Sequence, residues 1–317
     1  MTAYNIPMYM CSGWKLSLWL VMLALLLTAS PVAAITPPAV LLVQSSTEAP
    51  YAETEAALRA VLAKQGAAAP AIDKVMAGDN GTALPDSPPH DLIITIGTRA
   101  AAQVRSAGPH SPVLNLLITS EAFNSVWQDK THAAAVVVDL TNQDLLSLSR
   151  SLHPRPDQVG ILLGSSNSAA EESLRSVARQ AGVTALIAKA DNEKHVAKAI
   201  TRLLDDADVI VMMPDKAVIT PYTAKWLLYM AYQKKVPVIG YSRALADAGA
   251  VMAAYYEPAD IGTHGGELAV QILSSGQLPT IRLQRPTRYT VRINHNVADS
   301  LGIHIDAPVT DKDQSQP

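Results

Sequence analysis

The chain has 317 residues, with 25 Lys+Arg against 28 Asp+Glu and a formal net charge of −3. That balance excludes the strongly basic face that nucleic-acid binding needs, and a hydrophobic content of 49% excludes a disordered acidic tail. A single Cys excludes an internal disulfide framework and a Cys-rich metal site.

Residues 1–34 read as a secretory signal peptide. Lys15 is the lone cation there, an apolar run over 16–29 follows it, and Val32 and Ala34 are small residues at −3 and −1 of a cut before Ile35. The run is shorter than the roughly 20 residues that span a bilayer. Cys11 precedes the run, which is not where a lipoprotein cysteine stands. The product is expected to be soluble and periplasmic.

Residues 39–43 read as an apolar strand. A helix over 53–65 follows, with Ala56, Leu58, Val61 and Leu62 on its apolar side and Gly66 as its stop. Residues 67–90, rich in Ala, Pro, Gly and Asp, read as loop around one short element. Three more strand–helix units come next. They are strand 92–96 with helix 100–106, strand 112–118 with helix 121–127 behind a Thr119/Ser120 cap, and strand 134–138 with a helix from a Thr141/Asn142 cap to 152. His153, Pro154, Arg155 and Pro156 make a stiff break, and the pattern restarts. Strands over 158–163, 184–188, 209–213, 236–239 and 251–255 alternate with helices over 169–181, 193–204, 221–233 and up to 248. A helix over 261–274 and an alternating strand over 287–293 close the pattern. Repeated βα units with near-continuous apolar strands predict parallel sheets covered on both faces. The fold class is α/β, with two Rossmann-like lobes.

In such sheets ligands sit beyond the carboxyl ends of the strands. The residues there are Ser45, Ser46, Gly97, Thr98, Thr119, Ser120, Asp139, Ser165, Ser166, Asn167, Asp215, Tyr241 and Ser242. Helix capping accounts for much of this set, because helix starts need side-chain oxygens. Two lobes presenting these ends to each other would form a polar cleft. Asp139 and Asp215 each follow a strand, one in each lobe, and Arg243 follows another. A carboxylate accepts from an ammonium or hydroxyl, and a guanidinium holds a carboxylate by two prongs. Together they suit a zwitterion, or a polar molecule carrying both donors and acceptors.

Other motifs carry less. The run from Gly240 to Ala244 is one glycine short of a hydrolase nucleophile elbow. His264, Gly265 and Gly266 resemble an oxyanion loop but follow the serine instead of preceding it. Ser242 therefore reads as a capping or ligand-binding hydroxyl, and the chain as no enzyme. The eight His include no i,i+4 pair, so no metal site is expected. Neither standard nucleotide loop is present, and no cofactor is expected. Tyr222, Trp226, Tyr229 and Tyr232 recur at helical spacing and read as core.

One stretch carries a family pattern. DVIVMMPD stands at 208–215, VITP at 218–221, KVPVIGYS at 235–242, AGA at 248–250, Tyr255 alone, and DIG at 260–262. DLIITIGT at 91–98, QVGIL at 158–162 and NHNVADSLG at 294–302 fit the same template. Over about 91–302 the chain resembles the substrate-binding proteins of bacterial ABC transporters, in the branch that includes aromatic-amino-acid binders. The resemblance implies a type I periplasmic binding fold, with two lobes joined by three crossover segments that act as a hinge. It implies an N-terminal lobe over 35–152 plus about 253–285, a C-terminal lobe over 153–252 plus about 286–305, and a flexible tail over 306–317. It also implies ligand contacts at Ser45, Ser46, Gly97, Thr98, Thr119, Ser120, Asp139, Ser166, Asn167, Asp215, Tyr241 and Ser242. Arg243 and Tyr255 depart from the smaller loop expected of amino-acid binders, so the ligand class does not carry over. The implied function is an exported, monomeric receptor that closes on a small molecule and delivers it to a membrane permease with its ATPase subunit. The alternative is a periplasmic sensor or scaffold module of the same fold.

Overall fold

The computed structural model describes residues 37–78, 89–129, 131–165, 168–215 and 217–306. The segment read as a signal peptide, the tail from 307, and Ser166 and Asn167 lie outside them. The chain opens with β1 (Ala39–Gln44), α1 (Ala49–Ala63), β2 (Ala71–Met76), β3 (Leu92–Ile96) and α2 (Thr98–Ser106). It continues with β4 (Val113–Ile118), α3 (Ser120–Val126), β5 (Ala133–Val137) and α4 (Asn142–Leu148). β3 and β5 are buried along their whole length, which is why they read as unbroken apolar runs. Thr119 caps α3 by accepting from the Ala122 N–H, and Thr141 caps α4 by accepting from the Asp144 N–H. α1 starts earlier than predicted because Pro50 in its first turn has a preset φ and no donor to lose.

A short strand β6 (Leu152–His153) leads to β7 (Gln158–Gly164), α5 (Ser168–Gln180), β8 (Thr184–Ala190) and α6 (Glu193–Asp206). Then come β9 (Val209–Val211), α7 (Pro221–Gln233), β10 (Val238–Gly240), α8 (Arg243–Asp247) and β11 (Met252–Tyr255). The last elements are α9 (Pro258–Ser275), β12 (Leu283–Gln284), β13 (Thr290–Ile293), α10 (His295–Leu301) and β14 (His304–Ile305).

Two six-stranded sheets form the two lobes, in the orders β12-β5-β4-β3-β1-β2 and β13-β11-β10-β9-β7-β8. Pairing is parallel except for β13, which runs antiparallel to β11 with Met252 opposite Ile293. The chain therefore passes between sheets after β6, after β11 and after β12. β11 belongs to the second sheet, so the chain leaves that sheet after Tyr255. The physical reason is local: β11 follows β10 through one short helix, and parallel pairing beside it satisfies its backbone within the same sheet.

α9 then docks on α1. A Cβ added at Gly262 would lie 2.2 Å from the Thr54 carbonyl oxygen, and one at Gly266 2.6 Å from the Val61 Cβ. Thr54 is fully buried there and donates its hydroxyl to the carbonyls of Pro50 and Pro258.

One prediction about elements holds and one fails. The short element in 67–90 is β2, an edge strand whose Ala71–Met76 residues are exposed or half-buried. Its backbone bonds come from the parallel register with β1. Tyr222, Tyr229 and Tyr232 are exposed rather than core. α7 buries Thr223, Ala224, Leu227, Leu228 and Ala231 instead, so the aromatic stripe is its outer face.

Candidate functional site

A cavity of about 600 Å3 lies where the strand ends of both lobes meet the starts of α1 and α9. Leu117, Thr119, Val138 and Asp139 line it from the first sheet, with Pro50 and Glu53 of α1. Pro214, Tyr241, Ser242, Arg243 and Tyr255 line it from the second. Tyr256, Glu257 and Ile261 come from the crossover into α9. Most of these surfaces are aromatic or aliphatic. Leu117 has φ +54° and sits where the β4–β5 register shifts between Leu116 and Ile118. Bulges of this kind re-aim side chains, and a left-handed leucine costs about 1–3 kcal/mol. The strain falls on a residue that faces the cavity.

A second cavity of about 390 Å3, more polar than the first, shares Thr119, Asp139 and Pro214 with it. Ser120, Thr141, Asn142 and Arg285 line one side; Leu163, Leu174, Met213 and Asp215 line the other. The Asp139 carboxylate lines it, with a side chain that is 13% exposed. Ser120 donates to it twice, from its N–H at 2.6 Å and from its hydroxyl at 2.6 Å. Arg285 donates from Nε to the Asp139 carbonyl at 2.9 Å, and from Nη2 to the Ser120 hydroxyl at 3.1 Å and Asp139 Oδ2 at 3.4 Å. Nη1 of Arg285 meets no hydrogen-bond acceptor among the described residues. A partly buried carboxylate and a guanidinium that bonds the protein through Nε and Nη2 thus stand side by side, where a ligand carrying both charges can engage them.

On the second lobe, Arg243 holds Glu257 with Nη2 at 2.7 and 2.9 Å and lies 5.9 Å from the centre of the Tyr255 ring. The Glu257 hydrogen bonds hold the Arg243 guanidinium even more firmly protonated than usual. Ser242 caps α8 by accepting from the Leu245 N–H. Burial pushes the Tyr241 phenol up, helped by the Asp215 charge. Burial also drives Tyr256 up to about 12. Both hydroxyls therefore stay neutral donors across the physiological range.

The structure brings Thr119, Ser120, Asp139, Asp215, Tyr241, Ser242 and Arg243 to these two cavities. Ser45, Ser46, Gly97 and Thr98 line neither. The Ser45 hydroxyl accepts from the Ala100 N–H at 2.9 Å, and the Ser46 hydroxyl accepts from the Glu48 N–H. Gly97 packs so closely that a Cβ would meet Ser45 and Tyr51 at 2.7 Å. These residues stand at the ends of β1 and β3. Asp215 is nearly buried, and its carboxylate accepts from the Gly164 N–H at 2.8 Å and the Ala217 N–H at 3.0 Å. Its charge staples two loops of the second lobe. Sequence reasoning missed Arg285, Leu117, Tyr256 and Glu257. They lie on crossovers or at a bulge and not in strand-end loops, and only the position of Arg285 at the expected lobe boundary hinted at it.

Two α/β lobes with parallel sheets and three crossovers define the type I periplasmic binding fold. The family model for ABC transporter substrate binding proteins matches residues 86–315, so the chain belongs to that family. The chain is similar to a tyrosine-binding protein of Clostridioides difficile strain R20291, 23% identical over 205 residues. That match covers 61% of this chain and 58% of the relative's length. Among solved structures, an open, ligand-free substrate-binding protein with adhesive properties from Clostridium difficile superposes with a TM-score of 0.67 at 18% identity. It covers 86% of this chain and 97% of its own. A domain from Streptococcus pneumoniae in complex with L-Trp superposes with a TM-score of 0.63 at 21% identity, with the same coverage. Among the described residues no helix is long and apolar enough to cross a membrane.

Proposed function

We propose that this substrate-binding protein captures an amino acid with an aromatic or large apolar side chain in the cleft between its lobes and delivers it to a membrane permease. The observation that carries this reading is the junction of the two cavities at Thr119, Asp139 and Pro214. One side offers Leu117, Val138, Tyr241, Tyr255 and Tyr256 to an apolar body; the other offers Asp139 and Arg285 to a charged head. The relatives named for tyrosine and crystallised with L-Trp support the same ligand class. The protein acts in the periplasm, to which residues 1–34 export it. The three crossovers serve as the hinge, and ligand favours closure only through contacts with both lobes.

The test is a melting screen over amino acids, joined to small-angle scattering. Tyrosine or tryptophan at a hundred times its dissociation constant should stabilise the protein by about 2.7 kcal/mol. The radius of gyration should fall in the same samples. Stabilisation by sugars or nucleosides alone would replace the ligand class, and stabilisation at constant dimensions would remove the hinge.

A further inference from the structure

The second sheet ends at β8, which pairs only with β7. The Thr184 N–H donates to the Asp157 carbonyl, and the Ala190 carbonyl accepts from the Ser165 N–H. In a parallel ladder alternate residues face the neighbour, so Thr184, Leu186, Ala188 and Ala190 face β7. Ala185, Ile187 and Lys189 turn their backbone groups outward. Arg175 covers the Ala185 carbonyl at 3.2 Å. No hydrogen bond from the described residues reaches the outward backbone of Ile187.

This edge is not flush with the surface. It lies along a groove of about 610 Å3 whose walls are α5 and α6. The groove carries four permanent cations, Arg175, Lys189, Lys198 and Arg202, against two carboxylates, Glu171 and Asp206. Glu171 is already shared by Lys189 and Arg175. Lys198 and Arg202 pair with no carboxylate among the described residues. A cationic trough along an open strand is unusual on a chain of net charge −3.

We infer that β8 is a docking edge for an extended acidic segment of a partner protein, which adds as a seventh strand and places its carboxylates on Lys198 and Arg202. Strand addition draws affinity from main-chain bonds and selectivity from flanking side chains. A second copy of this chain is the poorer occupant, because pairing β8 with itself brings two cationic troughs together.

The probe is a fluorescein-labelled peptide of alternating valine and glutamate, with a valine–lysine peptide as its counterpart. The glutamate peptide should bind the full chain, with affinity falling as salt rises, and the lysine peptide should not. The double variant Lys198→Glu/Arg202→Glu should lose at least roughly tenfold in affinity at unchanged melting temperature. Amide exchange at Ile187 should slow on binding; this readout needs no variant that endangers folding. Absence of binding at millimolar peptide would overturn the proposal. Unchanged affinity in the double variant, or unchanged exchange at Ile187, would overturn it equally. So would a dimer of the chain alone that the same double variant dissociates, since a second copy would then own the edge.

Discussion

Gly262→Ala should destabilise the protein by roughly 3 kcal/mol or more, the upper end of what overpacking a core costs. The added Cβ would stand 2.2 Å from the Thr54 carbonyl oxygen and 2.9 Å from the Ala57 Cβ. The nearest atom is helix backbone, so no side chain can swing away to relieve the overlap. α1 and α9 would have to separate, exposing Leu58, Ile261 and Leu268 and pulling Thr54 from the carbonyls of Pro50 and Pro258. A matched control is Gly276→Ala. Gly276 ends α9 with φ +67° and has open space around it, so alanine there costs only the left-handed backbone, about 1–2 kcal/mol. Urea unfolding of both variants measures the difference. Equal losses would mean that the two helices have slack enough to take up the added methyl group.

Arg285→Ala should weaken the ligand found by the melting screen by about 10- to 150-fold, the loss of one charge-assisted contact of roughly 1.5–3 kcal/mol. Arg285 enters the cleft from the crossover after β12, touches Asp139 and Ser120, and keeps Nη1 open. Arg285→Lys should recover only part of the loss, because an ammonium cannot reproduce the planar fork. Asp215→Ala should behave in the opposite way. It strips a buried acceptor from the Gly164 and Ala217 N–H groups, and leaving those unsatisfied costs roughly 1–3 kcal/mol each. Its melting point should fall while the folded fraction binds nearly as the parent. Titration calorimetry with thermal unfolding separates the two. If Arg285→Ala binds within twofold of the parent, the charged head does not sit in the polar cavity. If Asp215→Ala loses affinity at full stability, that carboxylate meets the ligand after all.

The sequence by itself determined the α/β class, the alternation of strands and helices and the break after His153. Each rests on local pattern: β3 and β5 are buried on both faces and so must be apolar throughout. It also determined the starts of α3, α4 and α8, since Thr119, Thr141 and Ser242 each cap within three residues. Ser45, Ser46, Gly97 and Thr98 stand at strand ends in the way ligand loops do, and the hydroxyls of Ser45 and Ser46 bond the chain's own backbone. Only the tertiary structure decided which strand ends face a shared cavity. It also decided that Arg285, remote in sequence, meets Asp139, and that a bulge at Leu117 points into the cleft. Capping is satisfied by neighbours three residues apart, whereas a cleft is made by crossovers that bring residues more than a hundred positions apart into one place. No local pattern encodes that distance.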